Sequence, residues 1–237
     1  MNSQRSILAS SQGSVYIAFD DQFIFFDPAS SELAFKSALE WDHTALQSTT
    51  DRSTSSLVID SPFVLVPESL YSPGSDSLLL QDKYPYLTLS SSRYSVDTWT
   101  SNYAKCVYYI PDKYYNSGAQ PFKHWLTCLA QYNQIFFDAH DTGIWALRMK
   151  SKIYVFVKVN RALKEVKVIH APSPDDSTYH LLKIVESIKG HQNQMAIWTN
   201  ENNKLHLSVL SQYLPHIVTT DMDLSLLIRD IISNTCV

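Results

Sequence analysis

The most legible pattern lies in the second half of the chain. Ile153, Val155 and Val157 alternate with Tyr154, Phe156 and Lys158. Both faces of a strand over 153–159 are therefore largely apolar, as in the middle of a covered sheet. Apolar runs at Gln134–Phe137 and Ile144–Met149 predict strands on either side of a polar turn, and Val166–His170 extends the meander. The period then changes. Ser173-Pro174-Asp175-Asp176 reads as an N-cap, a proline at the first helical position and acids in the first turn. Tyr179, Leu181, Leu182, Ile184, Val185 and Ile188 supply an apolar stripe, and Gly190 sits where a left-handed terminating residue is wanted. The spacing predicts a helix over 174–189. A strand (Gln194–Thr199), a helix (Lys204–Tyr213), a short strand (His216–Thr219) and a closing helix (Leu224–Ser233) complete the pattern.

The first half opens in the same way. Val15–Phe19 and Phe23–Phe26 flank Asp20-Asp21-Gln22, and Leu33–Ala38 is a candidate third strand. Gln47–Ser56, where a helix is expected next, is Ser/Thr-rich and reads as a loop. Leu57–Ile59 and Phe63–Val66 bracket Asp60-Ser61-Pro62, Leu70–Gly74 reads as a turn, and Leu87–Leu89 and Lys105–Ile110 read as further strands. Three strands followed by helix, strand, helix and strand is the order of a ribonuclease H-like unit, an antiparallel meander continued by parallel strands through crossover helices. The expectation is an α/β protein (α+β by count) made of two such units. An eroded one spans 1–120 and a better-preserved one 121–237.

Composition narrows this picture modestly. The 14 Tyr, 10 Phe and 5 Trp among 237 residues suit half-buried pleated surfaces. Net charge is −4, split as 7 Lys+Arg against 13 Asp+Glu over residues 1–118 and 12 against 10 over 119–237. Such a balance argues against a nucleic-acid partner and marks two modules. Cys106, Cys128 and Cys236 are widely separated with no Cys-x-x-Cys pair, so reduced thiols are expected rather than a disulfide framework or zinc knuckle. The polar N-terminus does not read as a signal peptide, and no run of about 18 apolar residues predicts membrane insertion. A soluble cytoplasmic protein is expected.

Several segments carry a resemblance: the opening "VYIAFDDQFIFFD", then "FVLVPESLY", "FKHWLTCLAQ", "DDSTYHLLKIVESI" and "HLSVLSQYLPHI". Together they resemble an uncharacterised Bacteroidetes domain-of-unknown-function family with an actin-like ATPase fold, in that family's order and over most of the chain. The resemblance implies the duplicated architecture of the actin, sugar kinase and Hsp70 superfamily. Proteins of that superfamily hold Mg-ATP on two Asp-x-Gly loops and a glycine-rich adenosine loop, because bare backbone N–H groups must approach the phosphates closely.

Carried onto this chain, the implied nucleotide residues are Asp20 in the first loop and Asp138 in the second. The displaced triplet Asp141-Thr142-Gly143 completes the set. Gln22 and His140 stand where glycines belong, and Asn200-Glu201-Asn202-Asn203, where the adenosine loop is expected, contains none. Asp141-Thr142-Gly143 is also open to two other readings. An aspartic protease needs paired carboxylates on such loops, but the flanking Ala139-His140 and Ile144 do not suit it; a plain chain-reversing turn does. A two-metal nuclease would use Asp138, Glu186 and Glu201 or Asn200, yet Glu186 falls roughly 130° from the centre of its helix's apolar stripe. The eight His are dispersed without zinc spacing. His124, beside Trp125, reads as a hydrogen-bonded structural residue.

The expectation is therefore a non-catalytic pseudo-ATPase that scaffolds or binds an unknown protein partner, with no catalytic or metal-ligating residue and no obligatory cofactor. The alternative is a divergent ATP-binding protein using the cleft between the two units. Oligomeric state is not legible.

Overall fold

The computed structural model describes residues 15–19, 22–27, 30, 32–37, 56–87, 93–115, 122–188, 195–201, 203–214, 216–220 and 223–235. They divide into two compact units. The first comprises the described residues up to Thr98, Lys105–Trp125 and those from Ile232 onward; the second comprises Trp99–Ala104 and Leu126–Ile231.

In the first unit, β1 (Val15–Ala18), β2 (Gln22–Asp27) and β3 (Glu32–Ser37) form the antiparallel meander. β4 (Ser56–Ile59) and β8 (Phe122–His124) pair in parallel beyond β1, giving the order β3-β2-β1-β4-β8. The strands Val15–Ala18 and Leu57–Ile59 are buried along their whole length, as central strands covered on both faces must be. The Ser/Thr-rich stretch 47–55 lies outside the described residues. Between β4 and β8 the chain builds a second sheet, β5 (Phe63–Pro67), β6 (Tyr94–Trp99) and β7 (Ala104–Tyr109) in the order β5-β7-β6. α1 (Asp76–Lys83) covers it through Leu80, packed with Val66 and Val107, and α2 (Asp112–Tyr115) follows β7. The sequence pattern missed α1 and β6, and the strand expected at Leu87–Leu89 is not one at Leu87, with 88–89 outside the described residues.

The second unit repeats the topology. α3 (Trp125–Tyr132) and α4 (Gln134–Ala139) precede β9 (Gly143–Met149), β10 (Lys152–Val159) and β11 (Ala162–His170). α5 (Pro174–Ser187), β12 (Ala196–Thr199), α6 (Lys204–Ser211), β13 (His216–Thr219) and α7 (Leu224–Thr235) follow. The sheet order is β11-β10-β9-β12-β13, with β9, β12 and β13 mutually parallel. One face buries Ile144, Val155 and Ile197 against Leu181, Ile184 and Val185 of α5 and Leu210 of α6. The opposite face carries an in-register row, Phe156–Trp145–Trp198–Val218. The Trp145 and Trp198 rings stack at 4.8 Å, and Trp99, held by a 2.8 Å bond from Nε1 to Thr127 Oγ1, packs on Phe156.

Two expectations are corrected. Gln134–Phe137 belongs to a helix, α4, not to the first strand of the meander. Its four-residue apolar run fits either element by pattern alone; the Phe137 N–H donates to Asn133 O at 3.1 Å, a helical i→i−4 bond. Cys128 is disulfide-bonded rather than reduced, whereas Cys106 is a buried thiol outside any disulfide, as expected. No helix among the described residues is long and apolar enough to cross a membrane.

Candidate functional site

In an open sheet with parallel strands, ligands bind beyond the carboxyl ends of those strands, where the strand order reverses. In the second unit that edge follows β9 and β12. The first hairpin of this unit turns at Lys150-Ser151, between β9 and β10. By topology that turn matches the one between β1 and β2, and it contains neither aspartate nor glycine. Lys150 adopts the left-handed φ of 51° itself, and Ser151 O accepts from Ala171 N at 2.6 Å. The carbonyl of Ser151 is thereby engaged by the chain that follows β11.

The β12 end is closed by side chains. Asn200 accepts from Arg148 N (2.7 Å) through Oδ1 and donates from Nδ2 to Arg148 O (2.9 Å). An amide side chain thus continues the parallel β9–β12 ladder one step past Thr199. Glu201 N donates to Thr199 Oγ1 (3.1 Å), Asn203 N donates to Glu201 Oε1 (3.0 Å), and Asn203 Oδ1 caps Leu205 N at 2.9 Å. The N–H groups of Glu201 and Asn203, which a glycine-rich loop would leave for phosphate or adenosine, are met internally here.

Behind this loop sits a small cavity of about 10 Å³, lined by Arg148, Ser177, Thr178, Thr199 and Glu201 among apolar neighbours. That is room for about one water. Ser177 and Thr178 donate back to Ser173 O and Pro174 O, in the first turn of α5. That turn carries the expected cap: Ser173 Oγ accepts from Asp176 N at 3.1 Å, and Ser173 N donates to Asp176 Oδ2 at 3.1 Å. These bonds from the Ser173 hydroxyl and amide hold the Asp176 carboxyl below the usual carboxylate range. Asp175, read from the sequence only as a first-turn acid, reaches His206 Nε2 at 2.8 Å. The partners lie 31 residues apart, and no local motif signals such a pair.

The residues expected to hold nucleotide are placed as follows. Asp20 lies outside the described residues. Asp138 is exposed in α4, upstream of β9, and accepts from the Gln134 amide. The same Gln134 accepts from Lys158 Nζ at 3.2 Å. Burial pushes the Lys158 ammonium below its ordinary range, with the Asp138 carboxylate acting in the opposite sense. Asp141 pairs with Arg161 at 2.7 Å. Thr142 is buried, and its Oγ1 accepts from Asn160 N at 3.1 Å. Gly143 begins β9, and a Cβ there would lie 2.9 Å from Ala196 O and 3.0 Å from the Phe136 ring. Close approach, not a left-handed φ, explains that glycine.

Asp138, Glu186 and Glu201 stand on α4, on α5 and after β12, and the described residues contain no group of three or more His, Cys, Asp or Glu arranged to hold a metal. His124 is fully buried at the end of β8. Its Nε2 lies 3.0 Å from Ser61 O, its backbone N–H donates to Asp97 Oδ2 (2.8 Å), and its ring packs on Phe63 and Tyr108. A structural role accounts for it.

No family model and no curated protein matches the chain. Among solved structures, it is similar to a Bacteroides thetaiotaomicron VPI-5482 protein described as having an actin-like ATPase fold and unknown function. The TM-score is 0.70 at 13% identity, covering 92% of this chain and 94% of that one. Weaker likenesses are to the PilM–PilN type IV pilus biogenesis complex (TM-score 0.45, 8% identity, 88% of each chain) and to ethanolamine utilization protein EutJ from Carboxydothermus hydrogenoformans (0.41, 8%, 94% and 86%). Neither of these adds to the first. The strand orders of both units and that first likeness agree, and the chain has a duplicated, ribonuclease H-like, actin-like ATPase fold.

Proposed function

We propose that the protein is a non-catalytic actin-like module that works by binding another protein. The observation that carries this reading is the closed carboxyl edge of the second unit. Asn200 clips the β12 loop to the end of β9 with two hydrogen bonds, and the β9–β10 turn offers no carboxylate for Mg and no glycine for phosphate. Electrostatic grip on a triphosphate needs convergent bare N–H groups, and here the Arg148, Glu201 and Asn203 backbone N–H groups are already bonded to Asn200, Thr199 and Glu201 side chains.

The rival reading places Mg-ATP against Asp20, Asp138 and the Asp141-Thr142-Gly143 turn. A ligand that binds only the folded state raises stability by RT ln(1 + [L]/Kd), about 4 kcal/mol at a thousandfold excess over Kd. We expect no shift in thermal unfolding with millimolar Mg-ATP or Mg-ADP. A saturable shift that Asp20→Ala and Asp138→Ala remove would establish the rival instead.

A further inference from the structure

We propose that His206 is a proton switch that fastens or releases the loop between β12 and α6. The imidazole is held between two carboxylates from different elements. Nε2 faces Asp175 Oδ1 of α5 at 2.8 Å, and Nδ1 faces Glu201 Oε2 of the loop at 3.8 Å. The His206 side chain is 9% exposed and that of Glu201 12%, whereas the Asp175 side chain is 88% exposed. Nδ1 is buried without a hydrogen-bond partner.

The asymmetry of the two distances follows from proton count. A neutral imidazole carries one N–H, and a carboxylate only accepts. At 2.8 Å the proton belongs on Nε2, which leaves a bare lone pair on Nδ1 turned toward a second carboxylate. That contact is repulsive, and 3.8 Å is beyond hydrogen-bond reach. Adding a proton puts an N–H on Nδ1 and turns the repulsion into a charge-assisted bond. Glu201 Oε2 then closes on the ring.

The surrounding charges give the released state a partner. Arg148 of β9 lines the same small cavity as Glu201, and its Nε is buried without a hydrogen bond. Asp176, next to Asp175 on α5, is committed to Ser173, and Lys204 on α6 is exposed. Glu201 therefore has two cationic partners to choose between, protonated His206 or Arg148. Its other oxygen holds Asn203 N, so its position sets that of the loop. Asn200, one residue earlier, is the clip on Arg148. Proton binding at His206 thus reaches the carboxyl edge of the sheet, and the inference stands whether or not that edge serves a partner.

The test is amide hydrogen exchange at Glu201, Asn203 and Leu205, corrected for intrinsic rates, at about pH 5 and about pH 8, either side of the imidazole range. Protection is expected to fall on the order of tenfold across that interval, the worth of one hydrogen bond to a charged group. His206→Gln and Glu201→Gln should each abolish the difference. Equal protection at both pH values in the wild type, or a wild-type difference retained in Glu201→Gln, overturns the proposal. Should the variants not fold, the wild-type carboxyl carbon of Glu201 decides by NMR. It must shift in step with the His206 ring, and a Glu201 signal indifferent to that titration overturns the switch.

Discussion

A Cβ at Gly143 would meet the Ala196 carbonyl oxygen at 2.9 Å, a backbone atom that cannot rotate away, and the Phe136 ring at 3.0 Å. Gly143→Ala should accordingly destabilise the protein by about 1–3 kcal/mol, the usual cost of overpacking, read from the midpoint of urea unfolding. A stability equal to wild type would show that β9 and β12 can separate at no cost. Asp176 gives a residue-scale prediction in pH. Its folded-state pKa is depressed by Ser173. Its contribution is therefore present above the ordinary carboxylate value of about 4 and is lost as pH falls through that value toward the lower folded one. Asp176→Asn should lower Tm at neutral pH and leave little difference from wild type in strong acid. A deficit independent of pH would assign the loss to packing. The Ser173 cap was legible because every signal for it lies within four consecutive residues; the return bond from Ser173 N to Asp176 is what the structure adds. The Asp175–His206 pair was not, because helix-cap chemistry already explains an acid at that position.

At the scale of elements, pattern succeeded where an element is long or strictly periodic. α5 has a cap, a proline and an apolar stripe, and the pattern placed it to within two residues at its C-terminal end. β10 alternates along its length with both faces apolar, and β13 was bounded as found. Pattern failed on short apolar runs. Gln134–Phe137 fits a strand or one turn of helix by pattern, and α4 forms with Phe136 and Phe137 buried and Phe136 close against Gly143. That error moved the expected phosphate loop. Asp138 precedes β9, and the hairpin turn after β9 is Lys150-Ser151. α1 went unseen because its sequence, Asp76-Ser-Leu-Leu-Leu-Gln-Asp-Lys83, has almost no amphipathic contrast. The Asn200 clip is a long-range pairing across 52 residues, beyond any local signal. Asn200→Ala leaves the Arg148 N–H and C=O without their side-chain partner, and a loss of about 1–3 kcal/mol is expected. It should come with faster amide exchange at Arg148. Wild-type exchange there would mean that water replaces the clip without cost.

For the whole molecule, the duplication was readable because each unit opens on a three-strand meander, and the two main sheets have the same strand sequence about their first strands. What the carboxyl edge does with its polar groups was not readable. Missing glycines told only that a phosphate grip is compromised, whereas the bonds among Arg148, Thr199, Asn200, Glu201 and Asn203 show the edge occupied by its own side chains. Retained architecture with an edge bonded to its own side chains is the basis for proposing a binding module rather than an ATPase. A titration of the isotope-labelled protein with Mg-ATP, followed at the Asn200 side-chain amide and the Arg148 backbone amide, tests this most directly. The account predicts that neither resonance moves as nucleotide rises to several millimolar, on the order of a thousandfold above a micromolar Kd. Saturable shifts at both would mean that the clip opens to admit nucleotide, and would contradict it.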